Sequence, residues 1–421
     1  MSTPAVAAPR PTGLTWLRPS PRLGGAVVAL GALLVLLATN ARDPQLAVHW
    51  TLGLAVGVVL QRGRVCFAGA FRDLYLMRNG AMMRAVLVAL AVATPAFALI
   101  QARAVPNPSF GALPPGAHVL PLGLHLVVGG LLFGVGMVVA GGCVSGTLYR
   151  IGEGYLASWA SLGGILLGLL AAAHSWNLWW TLHIQYAPVV WLPSQFGYGG
   201  AVALTLAALG AAYLGVLWWE SRDAGPAFPV APLRPAGYLP GAATTFAERL
   251  GQLRSALVGR GWPPLAAVSA LAGLNVAAYL ADHPIGVTGE LAAWADRAGG
   301  AVGLGAPALL GAEMLAGCNL ALEHLGLVSA YTMLDAGLVV GAFLAALAAG
   351  ELKLRVARQR RRYVQSLGGG IFMGYGAGIA VGCTLGAFFS AVPSLGLNGW
   401  VFGLSLLAGA GLGTQVIRRI A

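Results

Sequence analysis

Two stretches of equal length decide the fold. Residues 129–146 read GGLLFGVGMVVAGGCVSG, and residues 369–386 read GGIFMGYGAGIAVGCTLG. Without gaps, eight of the eighteen positions are identical at an offset of 240 residues, and Cys143 coincides with Cys383. Because the chain contains only four cysteines, two of them at equivalent positions indicate an internal repeat.

The composition around these stretches is that of a membrane protein. Apolar residues make up 58% of the 421-residue chain and charged residues 9%, whereas soluble domains contain about 25% charged residues. The 62 glycines let membrane helices pack closely and permit broken helices that line a protected cavity. The net charge of +12 lies outside the apolar stretches. That placement is typical of basic helix ends, so we predict no binding to nucleic acid.

The apolar stretches predict an all-α polytopic membrane protein that lies in the lipid bilayer. We expect about ten spanning helices and two shorter, re-entrant segments. The predicted spans are residues 23–39, 44–60, 85–103, 121–141, 155–175, 198–218, 263–281, 325–349, 366–382 and 393–416. The re-entrant segments are residues 62–77 and 302–320, and each contains a cysteine.

Basic segments predict how the chain is divided. A cytoplasmic tail, 1–22, precedes a first membrane half, 23–218; a cytoplasmic linker with an amphipathic helix, 219–262, leads to a second half, 263–421. Basic loops face the cytoplasm, so both termini are expected on that side of a bacterial inner membrane. The two repeats then run in opposite directions. Inverted repeats place the substrate site near the middle of the membrane, at broken helices.

The cysteines are the candidate substrate-binding residues. They are Cys66, Cys143, Cys318 and Cys383, and the glycines expected to break the helices beside them are Gly142, Gly146, Gly317, Gly382 and Gly386. Broken helices expose backbone N–H groups that suit anions. A thiol in apolar surroundings stays protonated, so it donates a weak hydrogen bond and does not repel an anion. A single buried cysteine is more often a small apolar residue, but four at related breaks favour a functional path.

Several other classes of function lack their motifs. The chain has no CxxC pair, no Cys–His pattern with zinc spacing and no GxxxxGK[ST], so we predict neither an enzyme nor a bound metal or cofactor. Two alternatives to a transporter stay open. One is a membrane thiol oxidoreductase, and the other is a subunit that binds a partner and transports nothing.

Four charged residues are candidates for supporting roles: Arg64, Arg72, Asp73 and Glu313. We expect Arg64 to guide an anion, and we expect Arg72 and Asp73 to pair and hold the first re-entrant segment in shape. Glu313 is expected at membrane depth, where ionisable side chains are costly. A structural, hydrogen-bonded role is favoured for it because a carboxylate would oppose an anionic substrate.

Residues 64–73, Arg-Val-Cys-Phe-Ala-Gly-Ala-Phe-Arg-Asp, and the two Gly-Cys-x-x-Gly segments together resemble the YeeE/YedE sulfur-transport family, the thiosulfate permeases. The resemblance covers most of residues 44–416. It implies an hourglass-shaped fold of inverted repeats that takes up thiosulfate past cysteines stacked along a central path. It also implies that related ligands are sulfane sulfur or selenium species, and that a sulfur-carrier protein of the TusA type is a partner.

The resemblance implies roles for individual cysteines. Cys143, Cys318 and Cys383 match positions regarded as critical for transport, whereas Cys66 matches an entrance or exit position. The segment around Cys318, residues 311–319, lacks the Arg and Asp that flank Cys66, so the two re-entrant segments are not close copies.

Overall fold

The computed structural model describes residues 21–222, 261–315 and 328–420. Cys318, Gly317 and the amphipathic helix predicted within the linker lie outside these ranges. Helices dominate the described part, which has isolated β-bridges but no β-strand. In chain order the helices are α1 Pro21–Arg42, α2 Pro44–Gly63, α3 Phe67–Leu76, α4 Ala81–Ala104, α5 Leu124–Ala140, α6 Val144–Gly152, α7 Leu156–Leu182, α8 Leu192–Ser221, α9 Pro264–Ala281, α10 Thr288–Ala301, α11 Ala330–Ala348, α12 Arg360–Ile379, a π-helix Thr384–Ser390 and α13 Leu397–Ile420.

The helices confirm an all-α polytopic membrane fold. Among the described residues, eight segments are long and apolar enough to span a membrane, or nine if a bent pair counts as one span. These nine coincide with nine of the ten predicted spans. The tenth, residues 23–39, falls within α1, Pro21–Arg42.

Several spans are broken rather than continuous. Helices α2 and α3 together form one candidate span, Pro44–Leu76, and α5 and α6 form another, Leu124–Gly152. Helix α12 and the π-helix are bent by 49° where they meet. Residues 62–77 thus contain a helix break followed by α3, and their re-entrant course stays a prediction.

Glycines of the repeat bring α5 and α12 into backbone contact. A Cβ at Gly129 would lie 2.8 Å from the carbonyl oxygen of Gly376, and one at Gly136 would lie 2.6 Å from that of Gly369. The start of each helix therefore meets the end of the other, so the helices run antiparallel. Since Gly129 and Gly136 are the repeat equivalents of Gly369 and Gly376, the contacts are reciprocal. A two-fold axis between the repeats would produce this pattern.

The other close helix pairs show the same reciprocity. Helix α5 packs on α13 as α12 packs on α7, and α2 packs on α11 as α9 packs on α4. Each pair joins a helix of the first half to one of the second. The two halves are therefore interlocked, and the helix breaks of both lie inside the shared core.

The segment 302–315 is described up to the point where it approaches Cys318. It forms a loop that ends in the 3₁₀ turn Ala312–Met314. Glu313 is exposed in this turn. Its position at membrane depth and its structural role stay predictions.

Candidate functional site

The three described cysteines share one local geometry. Cys66, Cys143 and Cys383 each occupy the residue immediately before a short helix, with extended backbone dihedrals. The third residue after each cysteine is a glycine, at positions 69, 146 and 386. The first N–H groups of a helix have no partner within it and carry partial positive charge. Each cysteine sulfur is therefore placed beside donors that favour an anion.

Cys143 caps α6 directly. Its Sγ accepts a hydrogen bond from the Gly146 N–H at 3.4 Å and lies 3.4 Å from the Ser145 hydroxyl. The side chain is fully buried. The preceding Gly141 ends α5 with φ of 80°, in the left-handed region that glycine adopts without strain. The Gly141–Gly142 pair thus turns the chain sharply enough to aim the start of α6 into the core.

Cys66 and Cys143 come together around Gly146, although they lie on different spans. A Cβ at Gly146 would be 3.3 Å from Cys143 Sγ and 4.0 Å from Cys66 Sγ. On the other side of Cys66, a Cβ at Gly69 would be 3.9 Å from its sulfur. The two glycines leave space beside both sulfurs that any larger residue would fill.

An arginine completes this cluster. The Arg150 guanidinium donates through Nη2 to Cys66 Sγ at 3.8 Å and through Nη1 to the carbonyl oxygen of Gly141. Arg362 donates to the neighbouring carbonyl of Ala140 at 2.9 Å. These two cations stabilise the last carbonyls of α5, which the break leaves without helical partners. They also bring positive charge beside the sulfurs.

The positive charge continues into a cavity of about 270 Å³. Its walls combine three arginines with hydroxyl side chains: Arg150, Arg355, Arg362, Thr147, Ser158, Ser161 and Ser366. We call this cavity the basic chamber. Gly142 also lines it, so the chamber reaches the break that carries Cys143. Guanidinium groups and hydroxyls are suitable donors for an oxyanion.

The second break has the same order of residues but different surroundings. Val381 occupies the position of Gly141 with φ of 53°, which is unusual for a β-branched residue. Cys383 is fully buried, and the helix after it is a π-helix. A Cβ at Gly382 would lie 3.2 Å from the ring of His118. Burial lowers the pKa of His118 to about 4, so this ring is uncharged at neutral pH.

An aromatic contact joins the two cysteine-bearing regions. Phe67, which follows Cys66, packs edge-on against Phe389 of the π-helix with ring centroids 5.4 Å apart. One turn further on, Phe71 packs in the same way on Phe388 at 5.7 Å. The helix that follows Cys66 is therefore anchored to the helix that follows Cys383.

The predicted supporting residues fall into two groups. Arg72 and Asp73 form the expected pair, with Nε 2.8 Å from Oδ1. Arg64 ends α2 in a left-handed conformation, and its exposed guanidinium pairs with Glu351 at 3.3 Å. The prediction that Arg64 guides an anion receives no direct support from these contacts.

The sequence analysis did not identify three residues of this site. Gly69 has the same spacing from Cys66 as Gly146 has from Cys143, and this signal was available. Arg150 lies two turns after Cys143 on α6, so an arginine so close to a cysteine-bearing break was also a usable signal. Arg362 was grouped with a basic surface run, and its contact with α5 depends on the tertiary fold.

The cysteine cluster itself does not resemble a metal centre. The one group of three potential metal ligands among the described residues is His49, Asp282 and His283. It lies near the other end of α2. The cluster around Cys143 instead combines soft sulfurs, helix N-termini and guanidinium groups, which suits a soft anion.

Fold and site together define a multi-pass membrane protein whose broken helices place cysteines and arginines close together in the core. Residues 62–412 match the model of the sulphur transport family, and the chain belongs to that family.

Two relatives named thiosulfate transporter TsuA are similar to most of the chain. The protein from Spirochaeta thermophila is 30% identical over 86% of this chain and 96% of its own length. The protein from Escherichia coli is 31% identical over 83% of this chain and 88% of its own length. A second Escherichia coli protein, named probable transporter YedE, is 31% identical over 47% of each chain.

Proposed function

We propose that this protein takes up thiosulfate, or a closely related sulfur-containing anion, across a bacterial inner membrane. The observation that carries the proposal is the shared position of Cys66, Cys143 and Cys383 at the starts of short helices in broken spans. The names of the two TsuA relatives support thiosulfate as the substrate.

The cysteines act as successive contacts for the anion's terminal sulfur. A neutral thiol donates a weak hydrogen bond and brings a polarizable sulfur, so it attracts a soft anion without holding it strongly. Weak binding at several sites is what conduction requires. Because Cys66 and Cys143 both face Gly146, an anion there can contact both thiols before it moves on. Cys318 is proposed as a further contact on sequence grounds alone.

The basic chamber supplies the electrostatic attraction. Arg150 contacts both Cys66 and the break at Gly141, so its charge acts on an anion at the cysteines and on one in the chamber. By the distribution of basic loops, we assign the chamber and both termini to the cytoplasmic side. There we propose that a sulfur-carrier protein of the TusA type receives the sulfur, attracted to basic residues in 351–362.

Uptake into liposomes tests the proposal directly. The purified full chain is reconstituted alone, and entry of labelled thiosulfate is compared with that of sulfate, sulfite and selenite. We expect thiosulfate to enter in preference to the others, because only it presents a soft terminal sulfur to the thiols. Preferred entry of selenite would move the substrate to selenium species. No uptake of any of the four anions would contradict the transport proposal.

A further inference from the structure

A second cluster of polar side chains lies at the other end of α2 from Cys66. His49 is on the second turn of α2, and Asp282 and His283 directly follow α9. Their ligand atoms all lie within 4.8 Å of one another. At the rise of an α-helix, His49 is about 20 Å along α2 from Arg62, near the cysteine-bearing end. The cluster is therefore separate from Cys66 and the basic chamber.

His49 presents a ring nitrogen that can coordinate a metal ion. Its ring is fully buried, and Nδ1 lies 2.8 Å from the carbonyl oxygen of Gln45. Because a carbonyl can only accept, Nδ1 carries the proton and Nε2 presents a lone pair. Nε2 has no hydrogen-bond partner among the described residues. A backbone carbonyl that fixes the tautomer of a histidine is the usual outer contact of a metal ligand.

His283 is also a buried histidine with ring nitrogens that can coordinate a metal ion. Its side chain is 6% exposed, and neither ring nitrogen has a hydrogen-bond partner among the described residues. Its ring packs 5.4 Å from that of His49 and 4.3 Å from that of Tyr331. A buried polar group without a partner costs free energy.

We propose that His49, Asp282 and His283 bind one divalent transition-metal ion of the zinc type. Two neutral imidazoles and one carboxylate form an established zinc ligand set, with a fourth position left to water. The ion would give the lone pairs of both histidines a partner, and the exposed Asp282 would supply negative charge. Magnesium and calcium prefer sets of oxygen ligands, so we expect the site to reject them.

The distances set the adjustment that binding requires. Zinc holds nitrogen and oxygen ligands at about 2.0–2.2 Å, so tetrahedral ligand atoms lie about 3.4 Å apart. The group must therefore contract by up to about 1.4 Å around the ion. Asp282 can provide most of this movement because its side chain is exposed, whereas the two buried rings need only small rotations.

The position of the site suggests what the ion would do. His49 belongs to the first membrane half, and the other two residues belong to the second. Bound metal would connect α2 to the end of α9 at the end of the molecule opposite the basic chamber. The ion would thus clamp the two halves together, whether or not the substrate is thiosulfate.

The test uses the purified full chain without a polyhistidine tag. The protein is treated with a chelator, loaded with zinc and freed of excess metal, and the zinc content is measured by mass spectrometry. Cobalt(II) serves as a second probe, because tetrahedral coordination gives intense visible absorption. We expect one zinc ion per chain, the tetrahedral cobalt spectrum, a higher Tm with zinc and no such shift with magnesium.

Single substitutions assign the ligands. His49→Ala and His283→Ala should each weaken zinc affinity by more than about tenfold, since even changes outside the first ligand sphere have effects of that size. The matched control is His174→Ala, because His174 is exposed on α7 and bonds only its own helix. If an alanine variant fails to fold, the zinc content of His49→Gln and of the wild type still tests the proposal. Substoichiometric zinc in the wild type, or undiminished zinc in folded His49 and His283 variants, would overturn the proposal.

Discussion

The two helix breaks of the repeat have matching sequences but different environments. At the first break, Gly141 turns without strain, and Cys143 lies beside Arg150 and the basic chamber. At the second, a valine takes the left-handed position, and Cys383 precedes a π-helix with two phenylalanines packed against α3. The equivalent cysteines are therefore set in one basic region and one more apolar region.

If the repeats are inverted, as the sequence predicts, this difference makes their two cysteine sites unequal. A symmetric pair of sites would bind an anion equally at both breaks. The arginines favour charge at the first break, whereas the second break offers a thiol, helix N–H groups and a neutral histidine. We expect both thiols to contact the substrate, and only the first to do so with the help of a cation.

Removal of either thiol should have the largest effect on uptake. Cys143→Ala and Cys383→Ala each delete a donor to an anion, and such a bond is worth about 1.5–3 kcal/mol, or about 10- to 150-fold. Initial rates of thiosulfate uptake in liposomes measure the loss. Val144→Ala is the control, since it shortens a buried neighbour and leaves the thiol in place. Full activity of both cysteine variants would remove the cysteines from the path.

Neutralising Arg150 should weaken uptake through the loss of positive charge at the first break. Arg150→Gln removes the charge beside Cys66 and the basic chamber, and we expect about a tenfold loss of uptake, the lower end for a charged hydrogen bond. Arg150→Lys should recover part of it. Arg419→Gln removes an exposed charge near the C-terminus and should leave uptake unchanged. Equal losses in the Arg150 and Arg419 variants would mean that only net charge matters.

Filling the space beside the sulfurs should have a smaller effect. Gly146→Ala places a methyl group 3.3 Å from Cys143 Sγ, and mild overpacking of about 1 kcal/mol corresponds to about a fivefold loss of uptake. Alanine also favours the helix, so the Tm should not fall. Gly163→Ala on α7 is the matched control, because its Cβ would meet nothing within 4 Å. Unchanged uptake in Gly146→Ala would show that this gap lies off the path.

The neutral histidine beside the second break should make the stability of the protein depend on pH. The pKa of His118 is about 4 in the folded protein and about 6.5 in an unfolded chain. Between these values the unfolded state binds more protons, so stability falls as the pH falls. From pH 7 to pH 5 we expect a loss of about 2 kcal/mol. Thermal unfolding at the two pH values measures it, and His118→Gln should reduce the difference.

The sequence was sufficient to predict the class of fold and the positions of the helix breaks at Cys143 and Cys383. Long apolar stretches and the paired Gly-x-x-x-x-x-Gly-Cys patterns identified the spans and the equivalence of Cys143 with Cys383. It could not show that Arg150 reaches Cys66, because that contact joins two spans. It also could not show the cluster of His49 with His283, since these residues belong to different halves and have no local metal-binding pattern. Tertiary proximity created both sites.

The position of bound substrate tests the central claim most directly. A cryo-EM map of the protein with saturating thiosulfate would show where the anion binds. The account predicts density beside Cys143 and Gly146, within reach of Arg150, and density beside Cys383. Density confined to the basic chamber or to the outer surface, with none at either cysteine, would contradict it.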